Sequence, residues 1–137
     1  MPRVLIVDDS RMQSKIYETY LSKSFQCDVA PDGIDAVMMY RNSIFDSDHY
    51  LIVIMDISMP IMNGAEAINK IRKIESLNTQ LPTSYIIIST SMTDHELKSE
   101  VNLDIDMADK ILRKPVTKEQ LLETIHEAIK SKAGKRS

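Results

Sequence analysis

The sequence predicts an α/β fold of the (βα)5 type, in which a doubly wound parallel sheet of five strands is covered by helices on both faces. Short runs of apolar, largely β-branched residues occur five times, and each run is followed by apolar residues at helical spacing. Polar residues stand where several of these runs end. Parallel neighbouring strands require crossover helices, and such helices bury both faces of the sheet.

The first strand and the first helix follow each other directly. Residues 4–7 form a continuous apolar run that ends at Asp8 and Asp9. Ser10, with Gln13 three residues later, has the spacing of a capping box, which starts a helix. The apolar stripe of this helix is predicted to contain Met12, Ile16 and Tyr20.

The four remaining strands are predicted at residues 28–30, 52–55, 85–88 and 110–112. The third strand ends at an aspartate, Asp56. Turns and chain breaks separate the strands from their neighbours, because glycine, proline and asparagine favour turn conformations. These breaks are Pro31-Asp32-Gly33, Met59-Pro60 with Asn63-Gly64, Leu81-Pro82 and Lys114-Pro115.

The helices after the first are predicted from apolar residues at helical spacing and from their caps. Thr93 with Glu96, and Thr117 with Gln120, are capping boxes that start the fourth and fifth helices. The residues predicted to face inward in the second helix, at residues 34–41, are Ile34, Val37 and Met38. The third and fourth helices are marked by Ile68, Ile71, Ile74, Leu97 and Val101, and the inward stripe of the last by Leu121, Leu122, Ile125 and Ile129.

Polar side chains at the carboxyl ends of four strands form one candidate site. Ligands of doubly wound sheets bind beyond the carboxyl ends of the strands, where the winding reverses. Parallel strands bring these ends to the same edge, so one shallow pocket can hold the side chains together. The candidates are Asp8, Asp9, Asp56, Ser89, Thr90 and Lys114.

The candidate site has the residue types of a carboxylate centre that accepts phosphate. Three neighbouring carboxylates repel one another, and a hard divalent cation such as Mg²⁺, which prefers oxygen ligands, relieves the repulsion. No histidine or cysteine is placed to make a zinc or copper site. A carboxylate beside Mg²⁺, with a lysine and a hydroxyl opposite, is equipped to form an aspartyl phosphate.

Four sequence fragments stand in order, each at the end of a predicted strand. They are VDDS at residues 7–10, MDISMP at 55–60 with NG at 63–64, STS at 89–91 and ADKILRKP at 108–115. Together they resemble the receiver domain of bacterial response regulators, and the resemblance covers nearly the whole chain. It implies a flavodoxin-like fold with the strand order 2-1-3-4-5. We expect the receiver domain over residues 1–131 and a short basic tail at residues 132–137.

The resemblance also implies roles for individual residues. Asp56 is implied to be the phosphoacceptor. Lys114, which follows the fifth strand, is implied to pair with the phosphoryl group. In the family, the peptide bond between this lysine and the next proline is usually cis. The implied Mg²⁺ ligands are Asp9 directly, Asp8 largely through a water molecule, Asp56, and the backbone carbonyl of Ser58.

This sequence matches the family only in part at the hydroxyl residue that takes part in the family's switch, and at the positions around it. Thr90 is implied to be this hydroxyl, because Ser91 then fills the small-residue position that follows it, and Ser89 is the alternative. Ile111 stands where the family usually has Tyr or Phe, so the usual aromatic switch is missing. Met107 replaces a glycine often found before the fifth strand, and the region of the fourth helix is longer than is common.

The function implied is that of a stand-alone phosphorelay receiver. It would accept a phosphoryl group from a sensor histidine kinase or a histidine phosphotransfer protein and then change its affinity for a downstream protein. Ser58 and Met92 flank the route of the water that removes the phosphoryl group, and neither offers a carboxylate or an amide to position it. Self-dephosphorylation is therefore predicted to be slow, and no other enzymatic activity is expected.

Composition and charge exclude several classes of function. A chain of 137 residues with 43% hydrophobic residues fits one globular domain. Its formal net charge of -3 argues against direct DNA binding, and its apolar runs are too short to insert into a membrane. Because there is one cysteine and no signal-peptide pattern, a cytoplasmic location is expected. No output domain is expected after the last helix, so output would depend on protein contacts.

Four alternatives remain open at the level of sequence. The chain could be a receiver module excised from a larger hybrid kinase or regulator, or a scaffold that works without phosphorylation. An aspartyl-nucleophile phosphatase of the haloacid dehalogenase type is less favoured, because Ser58 stands where such enzymes carry a second aspartate. A nucleotide-binding domain is disfavoured because Gly33, Gly64 and Gly134 cannot form a glycine-rich phosphate loop.

Overall fold

The computed structural model describes the backbone of residues 1–59 and 62–135 and the side chains of these residues up to 131. Its strands are β1 (Arg3–Val7), β2 (Gln26–Ala30), β3 (Ile52–Asp56), β4 (Tyr85–Thr90) and β5 (Lys110–Arg113). Its helices are α1 (Arg11–Leu21), α2 (Gly33–Phe45), α3 (Gly64–Ser76), α4 (Asp94–Glu100) and α5 (Lys118–Lys135), with a short 3₁₀ turn at Ile105–Met107. Pro60 of the predicted loop and residues 136–137 of the predicted tail lie outside the described residues.

The five strands form one parallel sheet in the order β2-β1-β3-β4-β5, which confirms the predicted fold class and strand order. Side chains alternate between the two faces of each strand, so each strand contributes to two separate cores. On one face, apolar residues of α1 and α5 pack against Ile6, Ile54 and Ile87. On the other face, α2, α3 and α4 cover Val7, Met55 and other residues of alternate register.

The predicted helix caps are present in the structure. The Ser10 hydroxyl accepts a hydrogen bond from the backbone N–H of Gln13 at 3.1 Å, and this starts α1. The predicted box is only half formed there, because the Ser10 N–H donates to Asp8 instead of the Gln13 side chain. The boxes that begin at Thr93 and Thr117 are reciprocal, because in each the side chain three residues later also accepts from the cap N–H. Local hydrogen bonding of short polar side chains therefore sets where these helices start.

Several predicted inward stripes are wrong by part of a turn. Met12 is 76% exposed and Ile16 37% exposed, whereas Tyr17 and Leu21 are the buried apolar residues of α1. The other predicted inward residues that are exposed are Ile34 and Met38 in α2 and Leu122 and Ile129 in α5. Small residues take their places against the sheet, namely Ser14, Ala36, Thr124 and Ala128. Small side chains let a helix approach the sheet closely, which a stripe chosen for apolar size alone does not anticipate.

Within the described residues, no helix is both long enough and apolar enough to cross a membrane.

Candidate functional site

Three carboxylates meet at the carboxyl edge of the sheet, as predicted. Asp8 follows β1 and Asp56 ends β3, so both continue the face of the sheet that α1 and α5 cover. Asp8 and Asp56 are 3% and 5% exposed, whereas Asp9 is exposed to solvent. One oxygen from each carboxylate lies within 4.8 Å of the other two. This cluster has the spacing and the donor atoms to hold a cation.

Lys114 brings the only positive charge recorded in contact with these carboxylates in the described part of the chain. Its Nζ lies 3.3 Å from Asp56 Oδ1 and 3.5 Å from Asp8 Oδ2. Its backbone N–H donates to the Thr90 carbonyl at 2.9 Å, which extends the pairing of β5 with β4. The peptide bond from Lys114 to Pro115 is cis. Hydrogen bonds thus hold Lys114 through both its backbone N–H and its side chain.

The charges at this edge are not balanced. Burial raises the pKa of Asp56 above its ordinary value, the charge of Asp8 raises it further, and Lys114 and the Ser58 N–H oppose the shift only in part. Burial alone would lower the pKa of Lys114, but the carboxylates of Asp56 and Asp8 outweigh it and raise that pKa. One lysine therefore leaves negative charge in excess, and an added cation would relieve it.

Local backbone contacts hold the two buried aspartates in place. The N–H of Ser10 donates to Asp8 Oδ1 at 2.9 Å, which fixes this carboxylate at the entry to α1. Beyond Asp56, the N–H of Gly64 donates to the Ile57 carbonyl at 3.1 Å and brings the start of α3 against the end of β3. A Cβ atom at Gly64 would lie 2.3 Å from the Asp56 carbonyl oxygen, so this approach requires glycine.

The two hydroxyls at the end of β4 point to opposite faces of the sheet. Ser89 pairs with Asp56 in the β3–β4 register and shares its face, where its Oγ lies 2.5 Å from the hydroxyl of Tyr17. Thr90 lies on the other face, and its Oγ1 accepts a hydrogen bond from the Met92 N–H at 3.0 Å. Both residues are 1% exposed. The sequence alternatives Ser89 and Thr90 thus have different partners and different faces.

Tyr17 lies beside this site and is not among the residues predicted from the sequence. It lies in α1, is 1% exposed, and is close enough to Lys114, Asp8 and Asp56 to interact with their charges. Burial raises the pKa of its phenol, so the neutral hydroxyl is the form that contacts Ser89. The signal in the sequence was the helical spacing itself, because shifting the predicted stripe of α1 by one residue includes Tyr17.

The remaining predicted residues lie around this centre. Ser58 is exposed, and its Oγ donates to Met92 Sδ at 3.7 Å, so the two positions that flank the predicted water route contact each other. Ile111 is half-buried in β5 and packs against the core of α2, α3 and α4. The carbonyl of Met107 accepts a hydrogen bond from Arg72 Nε at 2.9 Å.

Comparison with known proteins now identifies the family. Residues 4–126 match the family profile of the response regulator receiver domain. The chain belongs to this family. This receiver is 32% identical over 129 residues to the chemotaxis protein CheY of Halobacterium salinarum, a match that covers 93% of this chain and 96% of that protein.

Receivers within much larger proteins are also similar to this one. It is 33% identical over 129 residues to the hybrid signal transduction histidine kinase I of Dictyostelium discoideum, and the match covers 93% of this chain but 7% of that kinase. The chain therefore corresponds to a small part of that relative. Both relatives place this receiver in two-component signal transduction.

Solved structures of receivers have the same fold. The chemotaxis protein CheY4 of Vibrio cholerae is similar with a TM-score of 0.72 and 26% identity, covering 93% of this chain and 98% of that one. The response regulator TrrA of Thermotoga maritima, solved in complex with Mg²⁺-BeF, has a TM-score of 0.72 and 27% identity, covering 93% and 99%. A CheY-like receiver of Methanospirillum hungatei has a TM-score of 0.78 at 20% identity over 98% of both chains, which supports the fold alone.

Proposed function

We propose that this receiver accepts a phosphoryl group on Asp56 from a phosphohistidine of a sensor histidine kinase or a histidine phosphotransfer protein. Phosphorylation then changes its affinity for a downstream protein partner. The observation that carries the proposal is the buried Asp56 carboxylate, which lies 3.3 Å from Lys114 and within 4.8 Å of two further carboxylates. Such a centre combines a nucleophile, a fixed ammonium and a set of oxygen ligands for a cation.

In the proposed reaction, an Asp56 carboxylate oxygen attacks the phosphorus atom. The new P–O bond forms as the P–N bond to the donor imidazole breaks, and the imidazole nitrogen keeps the electron pair of that bond. The Lys114 ammonium lies where it would contact the transferred group and offset its charge. Ser89 shares the face of Asp56, but its hydroxyl is already hydrogen-bonded to Tyr17. Thr90, at the end of β4, would therefore be the residue that donates its hydroxyl to a phosphoryl oxygen beyond the carboxyl edge.

The donor atoms of the site fit Mg²⁺. Asp8, Asp9, Asp56 and the backbone carbonyl of Ser58 would hold it, and these are the oxygen ligands that this cation prefers. When bound, Mg²⁺ would supply positive charge to the phosphoryl oxygens. The TrrA structure, which contains Mg²⁺-BeF, supports the choice of metal by similarity.

The proposal is tested by phosphorylation with a small-molecule donor, acetyl phosphate, in the presence of Mg²⁺, followed by intact-mass analysis. Wild type is expected to gain one phosphoryl group, and Asp56→Asn none. Asp46→Asn is the matched control, because Asp46 is an exposed aspartate at the end of α2, and it is expected to gain the group normally. Labelling that persists in Asp56→Asn, or an unlabelled wild type, would contradict the proposal.

We further propose that the phosphoryl group, once transferred, is lost slowly. Ser58 and Met92, which contact each other beside Asp56, have no carboxylate or amide to orient an attacking water. The decay of phosphorylated wild type is measured after the donor is removed, and Ser58→Asn supplies an amide for comparison. Faster decay is expected in Ser58→Asn, and a wild-type lifetime of seconds would contradict this proposal.

A further inference from the structure

An apolar groove lies between the C-terminal halves of α2 and α3, away from the phosphorylation site. Its volume is about 650 Å³. Phe45 and Leu77 line it and are 81% and 75% exposed, which is unusual for such large apolar side chains. Ile44 and Ile74 lie deeper in it and pack against the core beneath. Two of the most exposed apolar side chains described for this protein therefore share one concave surface.

The rim of this α2–α3 groove is positively charged. Arg41 lines it from α2, and Lys70 and Lys73 line it from α3. The residues that line the groove include no aspartate or glutamate, and in the described part of the chain no ion pair is recorded for any of these three cations. The whole chain has a formal net charge of -3, so this surface has the opposite sign to the molecule as a whole.

From these features we infer that the α2–α3 groove binds an acidic peptide segment of a partner protein, with an apolar side chain of that segment inserted between Phe45 and Leu77. An apolar floor with a charged rim is the anatomy of a peptide-binding groove. Carboxylates of the segment would pair with Arg41, Lys70 and Lys73. Cations on both walls favour a segment that lies in the groove, rather than a surface that touches one side of it.

A second copy of this chain fits the groove less well. In a two-fold symmetric dimer whose axis passes through the groove, each groove would face the groove of the other copy. The basic rims would then oppose each other and repel. A partner of opposite charge avoids this repulsion, which is why we assign the groove to an acidic segment.

The position of the groove predicts that its occupancy does not depend on phosphorylation. Helices α2 and α3 start at the carboxyl edge of the sheet and run back, so Phe45 and Leu77 lie near the amino edge. Asp56 lies at the carboxyl edge. The groove would therefore tether this receiver to a partner in both states, while the edge around Asp56 responds to the phosphoryl group.

The inference is tested by selecting peptides from a random-peptide display library against the full-length wild-type chain. Enriched sequences are expected to be net acidic, with an aromatic or leucine anchor. The affinity of a synthetic copy of one such peptide is then measured by fluorescence anisotropy. Phe45→Ser/Leu77→Ser and Lys70→Glu/Lys73→Glu are each expected to weaken its binding by about tenfold or more, the scale of an interface anchor.

Two controls and three contrary outcomes complete this test. Met38→Ser, at an exposed α2 residue that does not line the groove, and Asp56→Asn are expected to leave the affinity unchanged. Thermal denaturation of each variant verifies that it is folded. The inference is overturned if the selected peptides bind both double variants as wild type. It is also overturned if sedimentation shows a wild-type dimer that Phe45→Ser/Leu77→Ser abolishes, or if that variant loses binding to phosphatidylglycerol vesicles while no acidic peptide is enriched.

Discussion

Buried carboxylates lie at both edges of the sheet, and they have very different surroundings. At the amino edge, Glu75 near the end of α3 accepts hydrogen bonds from Arg72 Nη1 at 2.8 Å, from the Tyr40 hydroxyl at 2.6 Å and from the Ser84 N–H at 2.7 Å. Burial and the charge of Glu75 both raise the pKa of Tyr40, which keeps its hydroxyl neutral and able to donate. Both oxygens of this carboxylate therefore have hydrogen-bond donors, one for Oε1 and two for Oε2.

At the carboxyl edge the carboxylates share one cationic partner. Asp8 and Asp56 share the ammonium of Lys114 at 3.5 and 3.3 Å, longer distances than those around Glu75, and Asp9 adds a third carboxylate within 4.8 Å. A buried charge that has a full set of hydrogen-bond partners, as Glu75 has, plays a structural role. Buried charges left in excess lower stability and are retained where a ligand or a reaction uses them. The contrast separates a structural network at the amino edge from the proposed phosphorylation site at the carboxyl edge.

The largest effect is expected from opening the amino-edge network. Arg72→Ala removes the charge partner of Glu75 and also the donors to the Ser84 and Met107 carbonyls. Because it leaves a buried carboxylate uncompensated, we expect the free energy of unfolding to fall by about 3 kcal/mol. Urea denaturation measures this change.

The matched control for this prediction is Lys73→Ala, because Lys73 is the exposed neighbour of Arg72 in α3. Its effect on the free energy of unfolding is expected to stay within about 0.5 kcal/mol. If Arg72→Ala and Lys73→Ala had equal urea midpoints, the network around Glu75 would not stabilise the fold. The distinction between the two edges of the sheet would then be lost.

The strands and the carboxyl-edge site could be predicted because each depends on short stretches of sequence. A buried parallel strand is a run of apolar residues, and an aspartate that ends such a run must lie at the carboxyl edge. Asp8 and Asp56 are therefore predicted to lie together although they are 48 positions apart in the sequence. The polar caps of α1, α4 and α5 were predictable for the same reason.

The helix faces and the contacts between distant elements could not be predicted in the same way. The inward stripe of α1 follows Ser14, Tyr17 and Leu21 because a small residue allows close packing, and apolar size alone selected Met12 and Ile16 instead. The α2–α3 groove could not be predicted either, because it forms only where the ends of two helices lie side by side. The pair of Tyr17 and Ser89 joins residues 72 positions apart, and no local pattern links them.

An intermediate effect is expected from the hydrogen bond between Tyr17 and Ser89, which lies beside the unbalanced carboxylates. Tyr17→Phe keeps the ring and leaves the buried Ser89 hydroxyl without its partner. We expect the free energy of unfolding to fall by about 1 kcal/mol, the usual net value of a buried hydrogen bond. Tyr20→Phe, at a half-buried tyrosine of the same helix, is the control and is expected to have a smaller effect.

A double-variant cycle sharpens this prediction. If the hydrogen bond is the cause, Tyr17→Phe combined with Ser89→Ala costs less than the sum of the two single changes. Urea midpoints of the four proteins measure the coupling. Strict additivity would mean that Tyr17 and Ser89 act independently, and the hydrogen bond between them would then contribute nothing to stability.

The smallest change in stability is expected from Asp56→Asn, and its sign is opposite. Burial and Asp8 raise the pKa of Asp56 above its ordinary value of 3.8, so the folded state binds the proton more tightly than the unfolded state does. Protonation of Asp56 therefore favours folding at low pH, and this contribution is lost as the pH rises through the folded-state pKa. At neutral pH Asp56→Asn is expected to be more stable than wild type, and the difference is expected to shrink as the pH falls toward 3.8. Urea midpoints across this pH range, with Asp46→Asn as the control, measure it.

Mg²⁺ should narrow the difference in stability between Asp56→Asn and wild type at neutral pH. A cation bound to folded wild type offsets the same excess charge that Asp56→Asn removes. A variant less stable than wild type at neutral pH would mean that Lys114 balances Asp56 fully, and the two edges of the sheet would then not differ in the way described.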